Sequence, residues 1–570
     1  PSAKYLVNLQ PPLVRHFDLI AQAPGGVARL RELILTLAVQ GKLVSQDPSD
    51  EPASELLKKI RVEKDRLISE GKIKRDKPLA EIADDELPFE LPNGWQWIRL
   101  GSLLPFRIGK TPPSKDPQYW GSEGYDWVSI SDMEHFGEVQ STQRKITSLG
   151  ASLFGYEPLP VGTLIMSFKL TIGKIALLRT PAYHNEAIVS FHPITGLDTE
   201  FLKYTLPAVS KTGASKNALM GQTLNTESLS NLIMAVPPTA EQSRIVTRVE
   251  ELMQLCDALE ASGQLEAQQH AQLVNTLLGT LTQSETPEAL ADNWQRIATH
   301  FDVLFDRPEA VDALEQTILQ LAVRGLLVPQ DPTDEPASVL LQKIRAEKDH
   351  LIAQGKIKRD KSLPPITDEE KPFKLPHGWQ WVRFDELTHP LKPIAYGVLV
   401  PGPDVETGIP FVRIADLSLD SPASKPEKSI SPEIDAQFQR TRLEGGEILM
   451  GVVGSIGKLG VAPKTWAGAN IARAICRIVP ADSGLNEFVL FLLQTKFMQE
   501  SFAGDTRTLA QPTLNVGLIR AALTPIPPPA EQSRIVARVN ELRCLCADLR
   551  ARLESIQFTQ TQLAKTLLIS

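Results

Sequence analysis

The chain is short of everything that would place it outside the cytosol. Four Cys in 570 residues cannot build a disulfide framework, which points to a reducing compartment. Its longest apolar runs stop well short of the roughly eighteen residues that a membrane-spanning helix needs. No basic-then-apolar leader opens it, which argues against export, so a cytoplasmic location and no membrane partner are expected. Positive charge is also scarce: 60 Lys and Arg against 68 Asp and Glu leave a net charge of −8. A free-standing nucleic-acid binder usually carries a basic domain. Any DNA role must therefore rest on local patches or on a basic partner.

Familiar catalytic words are missing too. GKT at 109–111 invites a phosphate-loop reading, but that motif needs glycine at 104, where the chain has Leu104. GVVGSIGKLG (451–460) is rich in glycine but lacks the GxGxxG order that lets backbone approach a pyrophosphate. No HExxH, CxxC or GxSxG occurs. Neither does the Asn/Asp-Pro-Pro-aromatic word with which amino-methyltransferases hold a target nitrogen. Nine scattered His show no metal-ligand spacing. Cys544 and Cys546 fall two apart in a helical pattern, where side chains diverge, so core packing is favoured over a metal. An enzyme of unfamiliar type stays open, and turnover by the purified chain is its test.

What the chain does have is repetition. With 42% apolar and 22% charged residues it is an ordinary globular sequence, too long for one core. LPNGWQW (91–97) returns as LPHGWQW (375–381), and HFD (16–18) returns at 300–302. Residues 37–77, LAVQGKLVSQDPSDEPASELLKKIRVEKDRLISEGKIKRDK, match residues 321–361 without a gap. PPTAEQSRIVTRVEEL (237–252) matches PPPAEQSRIVARVNEL (527–542). Between these shared blocks, residues 98–236 and 382–526 differ strongly. A fused pseudo-dimer is the simplest organisation.

The shared blocks read as helical. Leu56, Leu57, Ile60, Leu67 and Ile68 follow a 3.6-residue period, Ser54 stands ahead of that stripe, and Gly71 closes it. From Ile535 the C-terminal copy steps by four and three through Val539, Leu542, Cys546, Leu549, Leu553 and Ile556, resuming at Leu563 and Leu567, a heptad seam. The earlier copy begins likewise with Ile245, Val249, Leu252, Cys256 and Leu259; Gly263 interrupts it, and Leu273 and Leu277 resume it. Two such helices most simply pack on each other, antiparallel. The variable blocks are different, with short β-rich runs bounded by Gly and Pro, such as YDWVSISDM (125–133) and IPFVRIADL (409–417). TIGK (171–174) beside SIGK (455–458), and TLN at 223–225 and 513–515, suggest one fold with diverged surfaces.

GKTPPSKDPQYWGSEGYDWVSISDM (109–133) resembles the opening of a target-recognition domain in the specificity subunit of type I restriction–modification enzymes. The LPxGWxW lead-in, LPVGTLIMSF…IGKIAL and the exit through PPxxEQxxI fit the same family, and GIPFVRIADL, LEGGEILMGVVGSIGKLG and NIARAICRIVP fit another variant of the domain. The resemblance covers nearly the whole chain. It implies an α+β fold: two mixed α/β target-recognition domains joined by long antiparallel coiled-coil helices, with an internal pseudo-twofold repeat. The corresponding division is a helical region 1–97, a first recognition domain 98–236, a central helical region 237–381, a second recognition domain 382–526, and a C-terminal helix 527–570. It implies no catalysis in this chain, with each domain reading one half of a split, asymmetric double-stranded DNA target. Two methyltransferase subunits would dock on the scaffold, and restriction/translocase subunits are further partners. No cofactor belongs to this chain; S-adenosylmethionine, ATP and Mg belong to the partners. A protein–protein adaptor with a helical ruler is the competing reading.

Phosphate contacts want Lys, Arg and backbone amides, and base edges want Arg, Asn, Gln, Ser or Thr. On those grounds the first block offers Lys110, Thr111, Ser114 and Lys115, then Lys169, Lys174, Gln222 and Asn225. The second offers Tyr396, Arg413, Lys458, Arg473, Arg507 and Gln511, with structural ion pairs the competing role for Arg413 and Arg473. Solvated surface charge is the bland alternative for the lysines, and KIKRDK (72–77, 356–361) reads as a solvated face or docking surface. The Trp pair of LPxGWQW is expected to pack the domain root rather than stack on bases.

Overall fold

The computed structural model describes residues 20, 21, 23–73, 78–169, 171–219, 225–359, 363–503 and 513–569. The chain forms two compact units, residues 1–265 with 557–570, and residues 266–556. It passes from the first to the second within one long helix, Thr239–Thr282, and returns within another, Pro529–Ile569.

In the first unit, helix Gly26–Val39 buries Leu30, Ile34 and Ala38, and helix Ala53–Ser69 buries Leu56, Ile60 and Leu67. Pro52, not Ser54, stands at the N-cap of the second helix. No side chain caps it; the Ala53 N–H donates to the Gly94 carbonyl at 2.8 Å, so the start is fixed by tertiary structure. Strand Gln96–Arg99 leads into the variable block and pairs antiparallel with Ile233–Val236, which leads out of it. Inside the block, a five-stranded sheet runs in the order Phe106–Ile108, Ile188–Phe191, Leu164–Ser167, Ile175–Leu178, Gly137–Val139. A four-stranded sheet runs Trp120–Gly121, Arg144–Ile146, Tyr125–Val128, Ala182–His184.

The second unit repeats the plan. Strand Gln380–Arg383 pairs with Leu523–Ile526 in the same register. Its larger sheet is Ala395–Tyr396, Ile475–Ile478, Ile448–Gly451, Leu459–Val461, and its smaller one is Lys428–Ile430, Ile409–Val412, Asn470–Ile471. The two blocks are therefore variants of one mixed α/β fold.

The repeated words meet in space at the root of each block. The Trp95 indole N–H donates to the buried Glu241 carboxylate at 3.0 Å, and Trp379 donates to Glu531 at 2.9 Å. Gly41 and Gly325, with φ of +67° and +70°, lie under these indoles; a Cβ there would come within 2.9 and 3.0 Å of the ring carbons. The second Trp of each word packs on a Phe, Trp97 on Phe89 and Trp381 on Phe373. Arg244–Asp50 and Arg534–Asp334 complete the joint, at 2.5 and 2.6 Å. LPxGWQW and AEQSRIV recur together because they are two halves of one fastening.

The heptad seam holds in part. In the second unit Ile535, Val539 and Cys546 are buried, and Leu542, Leu549 and Leu553 pack beside them, in a core with Val311, Leu314 and Ile318 of helix Pro308–Val323. Val274, Leu278 and Leu281 of the other long helix join that core, whereas Leu273 is 51% exposed. The apolar stripe thus resumes one residue later than the sequence pattern suggests. Ile556 and Leu563 are about half exposed, at 54% and 46%. In the first unit Ile245, Val249, Leu252 and Cys256 share a core with Leu30, Ile34 and Ala564. Each long helix begins against a short helix, so a simple two-helix seam understates the packing partners.

Candidate nucleic-acid interface

In the first block the loop Gly109–Lys115 connects the outer strand of the larger sheet to the smaller sheet. Backbone bonds seat its start, Lys110 N–H to the His184 carbonyl at 3.0 Å. Gly109 lies so close to His184 that a Cβ would fall 1.9 Å from its carbonyl oxygen, so only glycine fits. Two indoles then hold the loop: Trp127 Nε1 donates to the Lys110 carbonyl and Trp120 Nε1 to the Pro113 carbonyl, both at 3.0 Å. The indoles meet edge to face with centroids 4.9 Å apart. Lys110, Thr111, Ser114 and Lys115 are exposed along this fastened loop. The Lys110 ammonium donates to the Leu153 carbonyl at 2.9 Å, and the Thr111 hydroxyl bonds to Glu186. Lys169 is exposed, its ammonium 5.4 Å from the Phe168 ring centre.

Several other candidates make contacts within the fold. Lys174 Nζ donates to the Ile130 carbonyl at 3.1 Å, and Lys458 Nζ donates to the Ile414 carbonyl at 2.9 Å. The same contact in both blocks ties each IGK turn to the turn after the central strand. Asn225 caps helix Thr226–Ser230, accepting from Ser228 N–H at 2.9 Å, and Asn515 caps Val516–Ala521 in the same way. The Tyr396 hydroxyl donates to the Leu514 carbonyl and accepts from Val516 N–H, and burial raises its pKa. Arg413 is paired with Asp416 and, at 2.8 Å, Glu427, the structural role weighed for it. Arg473 is exposed. Gln222, Arg507 and Gln511 lie outside the described residues, as does most of KIKRDK in the first copy.

Sequence reasoning passed over two arginines. Arg144, exposed on the strand next to Trp127, places its guanidinium carbon 3.5 Å from the Trp120 ring centre and 5.7 Å from that of Trp127. Arg107 lies 4.1 Å over the Tyr156 ring. Among the described residues neither has a carboxylate at ion-pair distance. The only hint in the sequence is the aromatic density of YWGSEGYDW (119–127). Among the described residues no group of three His, Cys, Asp or Glu is placed to hold a metal, and no helix is long and apolar enough to cross a membrane.

Two related readers on one duplicated frame are what a family of bipartite specificity proteins would need. The chain belongs to the type I restriction modification DNA specificity family, whose domain model matches residues 92–268 and 403–555. It is 35% identical to the type I restriction enzyme EcoEI specificity subunit of Escherichia coli, over 95% of this chain and 93% of that protein. The EcoAI specificity subunit of the same organism is 36% identical over the same shares. A solved chain described under "Structural basis underlying complex assembly and conformational transition of the type I R-M system" is 19% identical; it covers 84% of this chain and 98% of its own length with a TM-score of 0.46.

Proposed function

We propose that this chain is the DNA sequence-specificity subunit of a type I restriction–modification complex, each variable block reading one half of a split, asymmetric double-stranded target. The observation that carries this is the family match falling on two blocks whose frames share the Trp–Glu, Arg–Asp and Ala–Gly bonds while their loops differ. GKTPPSK in the first block and GVLVPGP (397–403) in the second leave equivalent glycines, since a Cβ on Gly397 would meet the Ile471 carbonyl at 1.8 Å as one on Gly109 meets that of His184. Unlike loops call for unlike half-sites, so the target is not a palindrome. The long helices, of 44 and 41 residues, set the spacer; at about 1.5 Å per residue each exceeds the roughly 34 Å of one DNA turn.

The chain performs no chemistry of its own in this reading. Two methyltransferase subunits dock on its helical scaffold and methylate adenine with S-adenosylmethionine, and restriction subunits bring ATP and Mg chemistry, all in the cytoplasm. Each variable block is nearly neutral, with twelve basic against eleven acidic residues in the first and fourteen against fifteen in the second. Phosphate neutralisation then falls largely to the partners, and the chain alone binds DNA weakly. Within it, Lys110, Thr111, Ser114, Lys115 and Lys169 in the first block and Arg473 in the second are the proposed DNA contacts.

Long-read mapping of N6-methyladenine, in a host expressing the chain with its methyltransferase subunit, tests this. One split, asymmetric motif is expected only when the chain is present. Exchanging residues 98–236 for another such domain then changes one half of the motif and spares the other. An identical pattern with and without the chain would favour the adaptor.

A further inference from the structure

We propose that Arg144 is a specificity-determining residue of the first block, reading a guanine edge in that block's half-site. The inference rests on the DNA-specificity reading above and adds a residue and a base to it. Three observations carry it.

The first is how Arg144 is held. A free surface arginine samples many rotamers, and ordering it on DNA costs entropy. Here the guanidinium carbon lies 3.5 Å from the Trp120 ring centre and 5.7 Å from that of Trp127. A guanidinium held over an aromatic face keeps N–H donors available at the edge of its planar fork. A fork fixed in one plane suits bidentate donation to guanine O6 and N7, the commonest specific contact in the major groove.

The second is where it is held. The indole that carries Arg144 also bonds the Pro113 carbonyl, so the arginine and the exposed loop Gly109–Lys115 share one platform. The loop's lysines are suited to phosphate, which positions but does not specify; Arg144 supplies the missing base reader.

The third is a comparison with the second block. In the first block Arg144 is the cross-strand partner of Trp127, and Lys428 is the cross-strand partner of Phe411 in the second. Lys428 is neutralised by Asp404 at 2.8 Å, whereas among the described residues Arg144 faces no carboxylate at that range. One position in a shared fold thus carries a neutralised amine in one copy and an unneutralised, stacked fork in the other.

The test is methylation mapping with the full chain and its methyltransferase subunit, comparing wild type, R144K and R144A. Because Arg144 is exposed, both variants should fold. R144K keeps the charge but loses the planar fork. The expected result is that preference at one G·C pair of one half-site falls roughly tenfold or more in both variants, with the other half-site unchanged. A wild-type motif and occupancy in R144K would overturn the inference. So would a uniform loss of methylation with the motif intact, which marks a backbone contact. If wild type itself produces no motif-dependent methylation, the DNA-specificity reading fails instead.

Discussion

On the central strand of its small sheet, the first block sets Trp127 between Arg144 and Tyr183; the second sets Phe411 between Lys428 and Asn470. The register is the same and the chemistry is opposite. Around Trp127 the neighbours are aromatic: Trp120, Tyr183, Phe154 and Tyr156 form one cluster, with Tyr183 hydroxyl donating to the Tyr156 carbonyl. Around Asn470 they are polar and buried. Its amide donates to Asp435 at 2.9 Å and its oxygen accepts from Thr441 at 2.8 Å, while Arg442 pairs with Asp435 from the surface side. The frame that holds the blocks has meanwhile kept its bonds, Trp to Glu, Arg to Asp and Ala N–H to Gly carbonyl, in both copies. Divergence in the variable blocks therefore reaches both their exposed loops and the cores beneath them. A reader's surface cannot change alone, because its core must be rebuilt to hold it.

The largest effect is expected at Trp127. Trp127→Ala removes a buried indole and one of the two indole bonds to the Gly109–Lys115 loop, and should cost about 3–5 kcal/mol. Denaturant unfolding should show the loss in the first unit only, because the second has its own core. Methylation mapping should show one half of the motif degraded.

A smaller contrast is electrostatic. His184, next along the strand from Tyr183, is fully buried, its Nε2 has no hydrogen-bond partner among the described residues, and desolvation lowers its pKa to about 4. Its counterpart in the second block, paired in the same way with the residue after Phe411, is Ile471. The folded state thus holds His184 neutral. Its contribution is fully present above the ordinary value of 6.5 and is lost as pH falls towards 4, on the order of 3 kcal/mol. His184→Ile should flatten that part of the pH–stability curve of the first unit. An unchanged slope between pH 6.5 and 4 would show that the imidazole is not held neutral.

Asn470→Ala perturbs the second block at the position of Tyr183 in the first. It strips the buried Asp435 carboxylate and the Thr441 hydroxyl of one partner each, at a cost of about 2 kcal/mol. Asn470→Tyr, which imports the first block's residue, should cost more, since the polar pocket cannot accept a phenol. Thermal unfolding of the two variants should rank them in that order.

These contrasts also mark what a sequence can disclose. The repeat was legible because it is written in unbroken words, and Trp95–Glu241 explains why two words 146 residues apart travel together. The strands around 125–128 and 409–412 were legible from β-rich runs between glycines. Individual readers were not. A lysine in a sequence is a charge, and nothing near Lys174 announces that its ammonium is committed to the Ile130 carbonyl 44 residues away. Arg144 was invisible for the converse reason, because stacking on Trp120 leaves no periodic trace. The one-residue shift from Leu273 to Val274 has a similar cause: heptad counting assumes a single helical partner, and the second unit supplies a further helix.

The gentlest probe is of what the two copies share. Burial raises the carboxyls of Glu241 and Glu531, opposed by the indole N–H that each accepts from Trp95 and Trp379. With the folded pKa raised, the fold favours the protonated acid. Each group's contribution is therefore present below the ordinary carboxylate range and is lost as pH rises through the raised value. Glu241→Gln and Glu531→Gln keep an oxygen for the indole and remove the titration, so each variant should lose that decline without losing its fold. The pH dependence of unfolding, measured for both, should change by the same small amount in the same direction. Matching changes would mean that the frame is energetically as well as geometrically duplicated, and that the difference between the half-site readers begins only beyond it.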